Sequence, residues 1–365
     1  MTKIKDIIAH LEGIAPTALQ ESYDNAGLIT GNPNTPVQGV LVSLDCTEPI
    51  IEEAISKGCN LVIAHHPIIF KGLKKLTGRN YVERTVIKAI KHDVAIYAIH
   101  TNLDNIHTGV NHKIAQKIGL QQCRILQPKK QVLSKLVTYI PTEATAQVMA
   151  AIHAAGAGTI GNYSHCSFQV SGTGTFKPNE AANPHIGQAN QLEQVTENRV
   201  EVEFDSHNQR AVLAALHAAH PYEAVAYDVY QLENTNPTIG AGMVGLLPQP
   251  MDEMAFLHHL KQAMQLNTIK HTHLTGRPVQ RVALCGGAGG FLLPNAIAQK
   301  ADVFITADMK YHEYFDADGH LVIADIGHYE SEVYTKELIK DILLEKFSNF
   351  VPNLAEYNSN PIKYL

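Results

Sequence analysis

Short apolar runs separated by amphipathic segments dominate the first third of the chain. The runs at 39–45, 61–66 and 94–100 have the length and composition of strands that are buried on both faces. Helices are predicted at 48–57, 81–92 and 108–118. Strands that alternate with helices in this way indicate an α/β fold, in which a parallel sheet carries helices on its faces.

The last third of the chain repeats this alternation. Apolar runs at 281–287, 301–308 and 320–328 predict three further strands. The accompanying helices are predicted at 252–265, at 292–299 and from about 329 to 346. We therefore expect the N-terminal and C-terminal segments to build one core sheet together.

The middle of the chain has a different order of elements, in which strand, helix and strand follow one another twice. This order is typical of the ferredoxin-like α+β arrangement. The six elements are predicted at 135–140, 143–155, 164–171, 199–204, 208–219 and 224–232. Residues 127–131 and 233–242 have the composition of connectors. We therefore predict a core domain of residues 1–129 and 238–365, interrupted by an inserted domain at 130–237.

Composition and charge exclude several classes of protein. The chain has 365 residues, a formal net charge of -6 and no Lys/Arg-rich run, so a nucleic-acid partner is not expected. No apolar run approaches the ~18 residues of a membrane span, and no membrane partner is expected. The five cysteines lack C-x-x-C spacing and are expected to be reduced. The sequence thus predicts a cytoplasmic protein.

The residues that follow the predicted strands carry the candidate chemistry. Ligands of open parallel sheets bind beyond the carboxyl ends of the strands. In "LVIAHHPIIF" the strand must end near Pro67, which places His65 and His66 at such an end. The other residues at predicted strand ends are Asp45, His100, Asp104, Gly286–Gly290, Asp308, His312, His328 and Glu332.

These acids and imidazoles predict a metal site. His328 and Glu332 are four residues apart, so they share one face of a helix. A single histidine at a strand end is more often a structural group, but the combination of adjacent histidines, a downstream aspartate and this pair indicates metal binding. The donors exceed what one tetrahedral ion needs, which favours two ions.

The glycine-rich segment "CGGAGG" at 285–290 has two interpretations. It follows a predicted strand and precedes a predicted helix, so its backbone amides could cradle a phosphate. It matches neither G-x-G-x-x-G nor the P-loop pattern. A tight turn between strand and helix is the other interpretation, and the sequence does not decide between them.

Several segments, taken in order, resemble the Nif-three-like family, whose members are known as GTP cyclohydrolase 1 type 2 homologs. These segments are "SYDNAGL" (22–28), "LDCT" (44–47), "AHHP" (64–67), "HTNLD" (100–104), "GAGMVG" (240–245), "CGGAGG", "ITADMKYHE" (305–313) and "GHYESE" (327–332). The resemblance implies a dinuclear centre of divalent ions, with Zn, Fe or Mn as the candidate metals. Carried over to this chain, its ligands are His65, His66, Asp104, His328 and Glu332.

The family also has a long form with an insert similar to PII and CutA proteins, and "HPYEAVAYDVYQL" (220–232) resembles the last segment of that insert. The resemblance further implies self-association as a toroidal homohexamer whose metal sites face an internal cavity.

Two functions are expected from these features. The first is a metal-dependent hydrolase acting on a small-molecule substrate such as a nucleotide, with His100 or His312 as the acid or base. The alternative is a non-catalytic metal-binding or regulatory protein whose insert signals or builds the oligomer. A role in binding nucleic acid or protein partners of transcription is not supported by the charge balance.

Overall fold

Buried apolar runs form the central strands in the computed structural model, which describes residues 1–348 and 350–365. Leu61–Ala64 and Val303–Thr306 are buried at every position. Strands of this kind need cover on both faces, and helices supply it in the sequence order that the alternation predicts. The chain therefore has a mixed α/β fold, as predicted.

The described residues divide into two compact units. We call residues 1–128 with 237–365 the core unit, and residues 129–236 the inserted unit. The elements of the first core segment are α1 (Ile4–Ile14), β1 (Gly27–Thr30), β2 (Val40–Ser43), α2 (Glu48–Ser56), β3 (Leu61–Ala64), α3 (Tyr81–Lys91), β4 (Ala95–Ala98), α4 (Thr101–Asp104), α5 (Val110–Ile118) and β5 (Gln121–Pro128).

The remaining elements follow in chain order. The inserted unit contains β6 (Leu133–Pro141), α6 (Thr145–Ala154), β7 (Phe168–Phe176), β8 (Glu193–Asp205), α7 (Gln209–Ala219) and β9 (Tyr227–Gln231). The second core segment contains β10 (Gly240–Met251), α8 (Glu253–Ala263), β11 (Lys270–His271), β12 (Val279–Leu284), α9 (Leu293–Ala298), β13 (Val303–Thr306), β14 (Val322–Asp325), α10 (His328–Glu332), α11 (Thr335–Lys346) and β15 (Asn353–Leu354).

The core unit contains two sheets, so the prediction of one shared core sheet is wrong. The first sheet has the order β1-β4-β3-β2-β15, and the second has the order β11-β14-β13-β12-β10-β5. Strands β2, β3 and β4 are parallel to one another, as are β12, β13 and β14. The free edges of these parallel cores are occupied by other strands, so the two sheets cannot join.

Two of the edge strands come from the opposite segment of the chain. Strand β15, near the C-terminus, pairs with β2 in the first sheet, and β5 of the N-terminal segment pairs with β10 in the second sheet. The predicted connectors at 127–131 and 233–242 overlap strands that the sequence did not indicate, because β5 ends at Pro128 and β10 begins at Gly240. Glycine and proline lower the strand propensity of both segments and hide them from pattern analysis.

The inserted unit is an antiparallel sheet with two helices on one face. Its strand order is β7-β8-β6-β9. Leu136, Val200 and Phe204 of the sheet pack with Val148 of α6 and Val212 of α7 in a separate apolar core. Strands β7 and β8 are longer than predicted and flank a loop at 177–192. In the described part of the chain, no helix has both the length and the apolar character needed to cross a membrane.

We expect the core unit to fold without the inserted unit. Pro128 and Gly240 are direct partners in the antiparallel pair β5–β10, so the chain leaves and re-enters the core unit at neighbouring points. Joining Pro128 to Pro237 through a short Gly–Ser linker should give a protein with native circular dichroism, a cooperative melt and unchanged metal content. An aggregated or molten product would contradict the assignment of these boundaries.

Candidate metal centre

The ends of two sheets supply the side chains of the candidate centre. His65 and His66 follow β3, Asp104 ends the short helix α4 after β4, and His328 and Glu332 lie one turn apart on α10 after β14. The structure brings all five of these residues, which the sequence predicted as ligands, into one cluster. His66 Nε2 lies 2.9 Å from Glu332 Oε2, and His328 Nε2 lies 3.0 Å from the same oxygen. His65 Nε2 lies 3.6 Å from Asp104 Oδ1.

Each of the three imidazoles is oriented through its Nδ1 atom. His65 Nδ1 donates to the carbonyl of Ile99 at 2.8 Å, and because a carbonyl only accepts, this bond fixes the tautomer. His66 Nδ1 lies 2.8 Å from Asp45 Oδ1, and His328 Nδ1 lies 2.6 Å from Asp308 Oδ2. In all three rings Nε2 therefore faces the clustered carboxylates, which is how metal-binding histidines are held.

An ionised Glu332 and two charged imidazoles, His66 and His328, result from this arrangement before any ion binds. Burial alone lowers the pKa of His66, but its hydrogen bonds to Asp45 and Glu332 outweigh that effect and raise the pKa to about 10. Burial also lowers the pKa of His328, but Glu332 and Asp308 outweigh this effect and raise it to about 9. Burial opposes ionisation of Glu332, but the bonds from His328 and His66 hold its pKa well below the usual range.

The pKa values of the other two residues of the cluster, His65 and Asp104, are shifted in the opposite directions. Burial lowers the pKa of His65 to about 3, so its ring is neutral at physiological pH. Burial and the nearby charge of Glu332 raise the pKa of Asp104 well above its usual range. His65 Nε2 and Asp104 Oδ1 are both buried, and within the described residues neither has a hydrogen-bond partner. A buried polar atom left in this state costs about 1–3 kcal/mol, and a cation between the two atoms would remove that cost.

The donor set therefore fits divalent transition-metal ions. The ligand atoms of His66, His328 and Glu332 lie within 4.8 Å of one another, and so do those of His65, His66 and His100. Imidazole nitrogen with carboxylate oxygen is a donor set for Zn, Fe or Mn. The cluster is thus a candidate metal centre on its chemistry as well as on its geometry.

The glycine-rich segment at 285–290 is a tight turn beside this cluster. Gly287 has a φ of +62°, and a Cβ atom there would collide with Glu332 Oε1, so both backbone conformation and space require glycine. The amides of Gly286, Gly287 and Gly289 donate to the side chains of Asn111, Ser331 and Thr306, respectively. Because these amides are already bonded, the structure favours the turn interpretation over a phosphate cradle.

The two predicted acid–base histidines have different surroundings. The His100 ring lies 5.2 Å from that of His65 and 5.3 Å from that of His66. His312 is exposed, and among the described residues its ring contacts are with Tyr311 and Phe315 rather than with the cluster. The structure therefore brings His100 to the candidate centre and does not bring His312 there.

Sequence reasoning left out the residues that hold the ligands in place. Asp45 and Asp308 lie at predicted strand ends, but their position alone does not indicate that they orient His66 and His328. Asp24 accepts from His100 Nδ1 at 2.7 Å, and in the sequence it is only one residue of the segment "SYDNAGL". Ser359 in the C-terminal tail donates to Asp45 Oδ2 at 2.6 Å, and no pattern in the sequence indicates it.

Comparison with known proteins identifies the family. A family model described as Duf34/NIF3 (NGG1p interacting factor 3) matches residues 2–361. The chain belongs to the Duf34/NIF3 family. The family resemblance found in the sequence motifs is thereby confirmed.

Relatives in this family match the whole chain, including the inserted unit. The protein is 40% identical to the GTP cyclohydrolase 1 type 2 homolog of Halalkalibacterium halodurans, over 98% of both chains. It is 38% identical to the protein of the same name from Bacillus subtilis, over 99% of this chain and 98% of that one. The crystal structure of a Bacillus cereus protein related to NIF3 matches with a TM-score of 0.85 at 37% identity, covering 100% of this chain and 99% of that one.

We expect the affinity of this Duf34/NIF3 protein for Mn²⁺ or Zn²⁺ to rise with pH from about 6 to about 9. An ion bound in this cluster would take the Nε2 atoms of His66 and His328, whose pKa values are raised to about 10 and about 9 without metal, so it would have to displace protons. Each displaced proton weakens binding by up to about tenfold per pH unit below those values. Calorimetric titrations at several pH values measure this slope, and an affinity that is flat or falls with pH would contradict it.

Proposed function

We propose that the protein is a dinuclear metal-dependent hydrolase that acts on a nucleotide or a similar small molecule. The observation that carries this proposal is the pair of unpartnered buried atoms, His65 Nε2 and Asp104 Oδ1, beside the triad of His66, His328 and Glu332. In one half of the cluster a cation would satisfy two buried polar atoms, and the other half offers a set of three ligands. The name of the relatives, GTP cyclohydrolase 1 type 2 homolog, supports a nucleotide as the class of substrate.

The proposed ligands divide between two ions. His65 and Asp104 would hold one ion, and His66 and His328 the other, with the Glu332 carboxylate serving both. A shared carboxylate reduces the repulsion between two neighbouring cations. When bound, such ions supply Lewis acidity and lower the pKa of a water molecule so that it can act as the nucleophile.

The protein's own groups provide orientation and proton transfer. Asp45, Asp308 and the carbonyl of Ile99 hold the three imidazoles with Nε2 turned inward. Asp24 binds His100 Nδ1 and also accepts from the amide of Thr101 at 3.0 Å. This leaves the second nitrogen of His100 to hold or pass a proton at the edge of the centre, which is the role we assign to it.

We also propose an arrangement for the inserted unit and the assembly. The inserted unit is a ferredoxin-like domain of the PII/CutA type, and its strand order β7-β8-β6-β9 with two helices on one face supports this. The assembly is a cytoplasmic homohexamer, a proposal that rests on the family resemblance alone. Sedimentation of the purified protein tests the oligomeric state.

We expect Glu332→Ala to lose both ions and His66→Ala to lose mainly one. Glu332 is the ligand placed to serve both positions, whereas His66 belongs to one of them. Metal analysis of the purified variants by mass spectrometry makes the comparison. Glu337→Ala is the matched control, because it removes a partly exposed acid of α11 that forms ion pairs only with Lys113 and Lys117 among the described residues. Near-full metal content in Glu332→Ala would remove Glu332 from the centre.

Turnover separates the hydrolase from the non-catalytic alternative. The metal-loaded protein is assayed against nucleotides including GTP, phosphoesters and cyclic amides. We expect hydrolysis by the wild type and a loss of activity in His100→Asn with the metals retained. Full metal content without hydrolysis of any compound would contradict the enzyme and favour a metal-binding regulatory protein.

A further inference from the structure

The inserted unit contains a cavity of about 650 Å³. Its floor is formed by β7 and β8, and its walls by the loop after β7 and by residues 222–226. Val170, Arg199 and Tyr139 are cross-strand partners in neighbouring strands, so they share one face of the sheet. Val200 and Val202, which alternate with Arg199, belong to the core under the helices. The cavity therefore lies on the sheet face opposite the helices, and its volume is that of a small-molecule site.

Glycines in β7 make room for the cavity. A Cβ atom at Gly172 would meet no other atom within 4 Å, which means that open space lies directly above the strand there. A Cβ atom at Gly174 would instead collide with the carboxylate of Glu197. The Glu197 side chain thus lies across the strand and reaches into the cavity only because position 174 is glycine.

The carboxylate of Glu197 offers a hydrogen-bond acceptor to a molecule in this cavity. The residue is 8% exposed, and the hydroxyl of Tyr222 donates to its Oε1 atom at 2.9 Å. Among the described residues no group donates to Oε2, which faces Gly174 at the cavity floor. Oε2 can therefore accept a hydrogen bond from an occupant of the cavity that carries N–H groups.

The walls of the cavity suit a flat ring. Tyr139, Phe176 and Tyr222 line it, and the rings of Phe176 and Tyr222 are 5.9 Å apart at an angle of 61°. Aromatic walls over a glycine floor favour stacking of a planar group. The two basic residues of the cavity lining, Lys177 and Arg199, are balanced by two acidic ones, Glu197 and Glu223. The net charge of the lining therefore favours neither an anion nor a cation.

We propose that this cavity binds a small heteroaromatic molecule with an amino group that donates to Glu197 Oε2. The ring packs against the aromatic side chains above β7, and the amino group donates to the oxygen of Glu197 that Tyr222 does not bind. This site is separate from the metal centre, and its failure would leave the proposed hydrolase unaffected.

Ligand-observed NMR on the full-length protein tests the proposal with matched pairs of probes. Each pair consists of an aminopurine, aminopyrimidine or aminopteridine and the same ring without its amino group, for example 2-amino-9-methylpurine and 9-methylpurine. We expect the amino compounds to bind more tightly by about tenfold or more, the effect of one hydrogen bond to a charged acceptor. Glu197→Gln should remove most of that preference.

Gly172→Val tests the location. The new side chain fills open space without a collision, so the fold and melting temperature should be kept while binding of every probe is lost. Gln169→Val is the matched control, because it introduces the same side chain at the partner of Val200 on the same strand, outside the cavity lining. Unchanged binding in Gly172→Val would overturn the proposal, as would no binding of any amino compound at millimolar concentration. If no probe binds and Gly172→Val alters the oligomer mass, the cavity is a contact between copies and the proposal is wrong.

Discussion

The buried charge of Glu332 is the constraint on which the candidate centre depends. This side chain is only 3% exposed, and a carboxylate at such a depth must be compensated by donors. His66 and His328 supply them through Nε2, and each of these rings is anchored by a further acid, Asp45 or Asp308. Opposite charges thus alternate outward from Glu332. The end of β3 and the helix α10 are held together by this alternation, although they come from distant parts of the chain.

The topology of the core unit brings these distant segments of the chain together. Each sheet of the core unit is completed by a strand from the other segment, β15 in the first and β5 in the second. Neither sheet is complete without both segments, so the two sets of strand ends form together. The ligands divide in the same way, with His65, His66 and Asp104 from the first segment and His328 and Glu332 from the second.

The sequence pattern predicts the parallel strands of this protein better than the strands next to the predicted connectors. The apolar runs predict the parallel strands. The five clustered side chains are predicted because ligands of open parallel sheets bind beyond the carboxyl ends of the strands and because His328 and Glu332 are four residues apart. Strands β5 and β10 do not follow, because glycine and proline weaken their pattern and because these strands pair with partners from distant parts of the chain. The prediction of one sheet failed for this reason.

The supporting residues were missed for a different reason. Asp24 lies in an irregular segment and Ser359 in the C-terminal tail, so no periodicity marks the side of the fold on which they lie. Their roles come from long-range hydrogen bonds to His100 and Asp45. The glycines of "SGTGTF" in β7 indicate open space over the inserted sheet. Only the pairing of β7 with β8 shows that this space lies beside Glu197.

Anomalous diffraction from crystals of the Mn²⁺- or Zn²⁺-loaded protein would locate the bound ions and their ligands. We expect two peaks in each protein chain, one in contact with His65 and Asp104 and the other with His66 and His328, with the Glu332 carboxylate in contact with both. A single peak, or a peak held by His65, His66 and His100 without Glu332, would contradict this expectation.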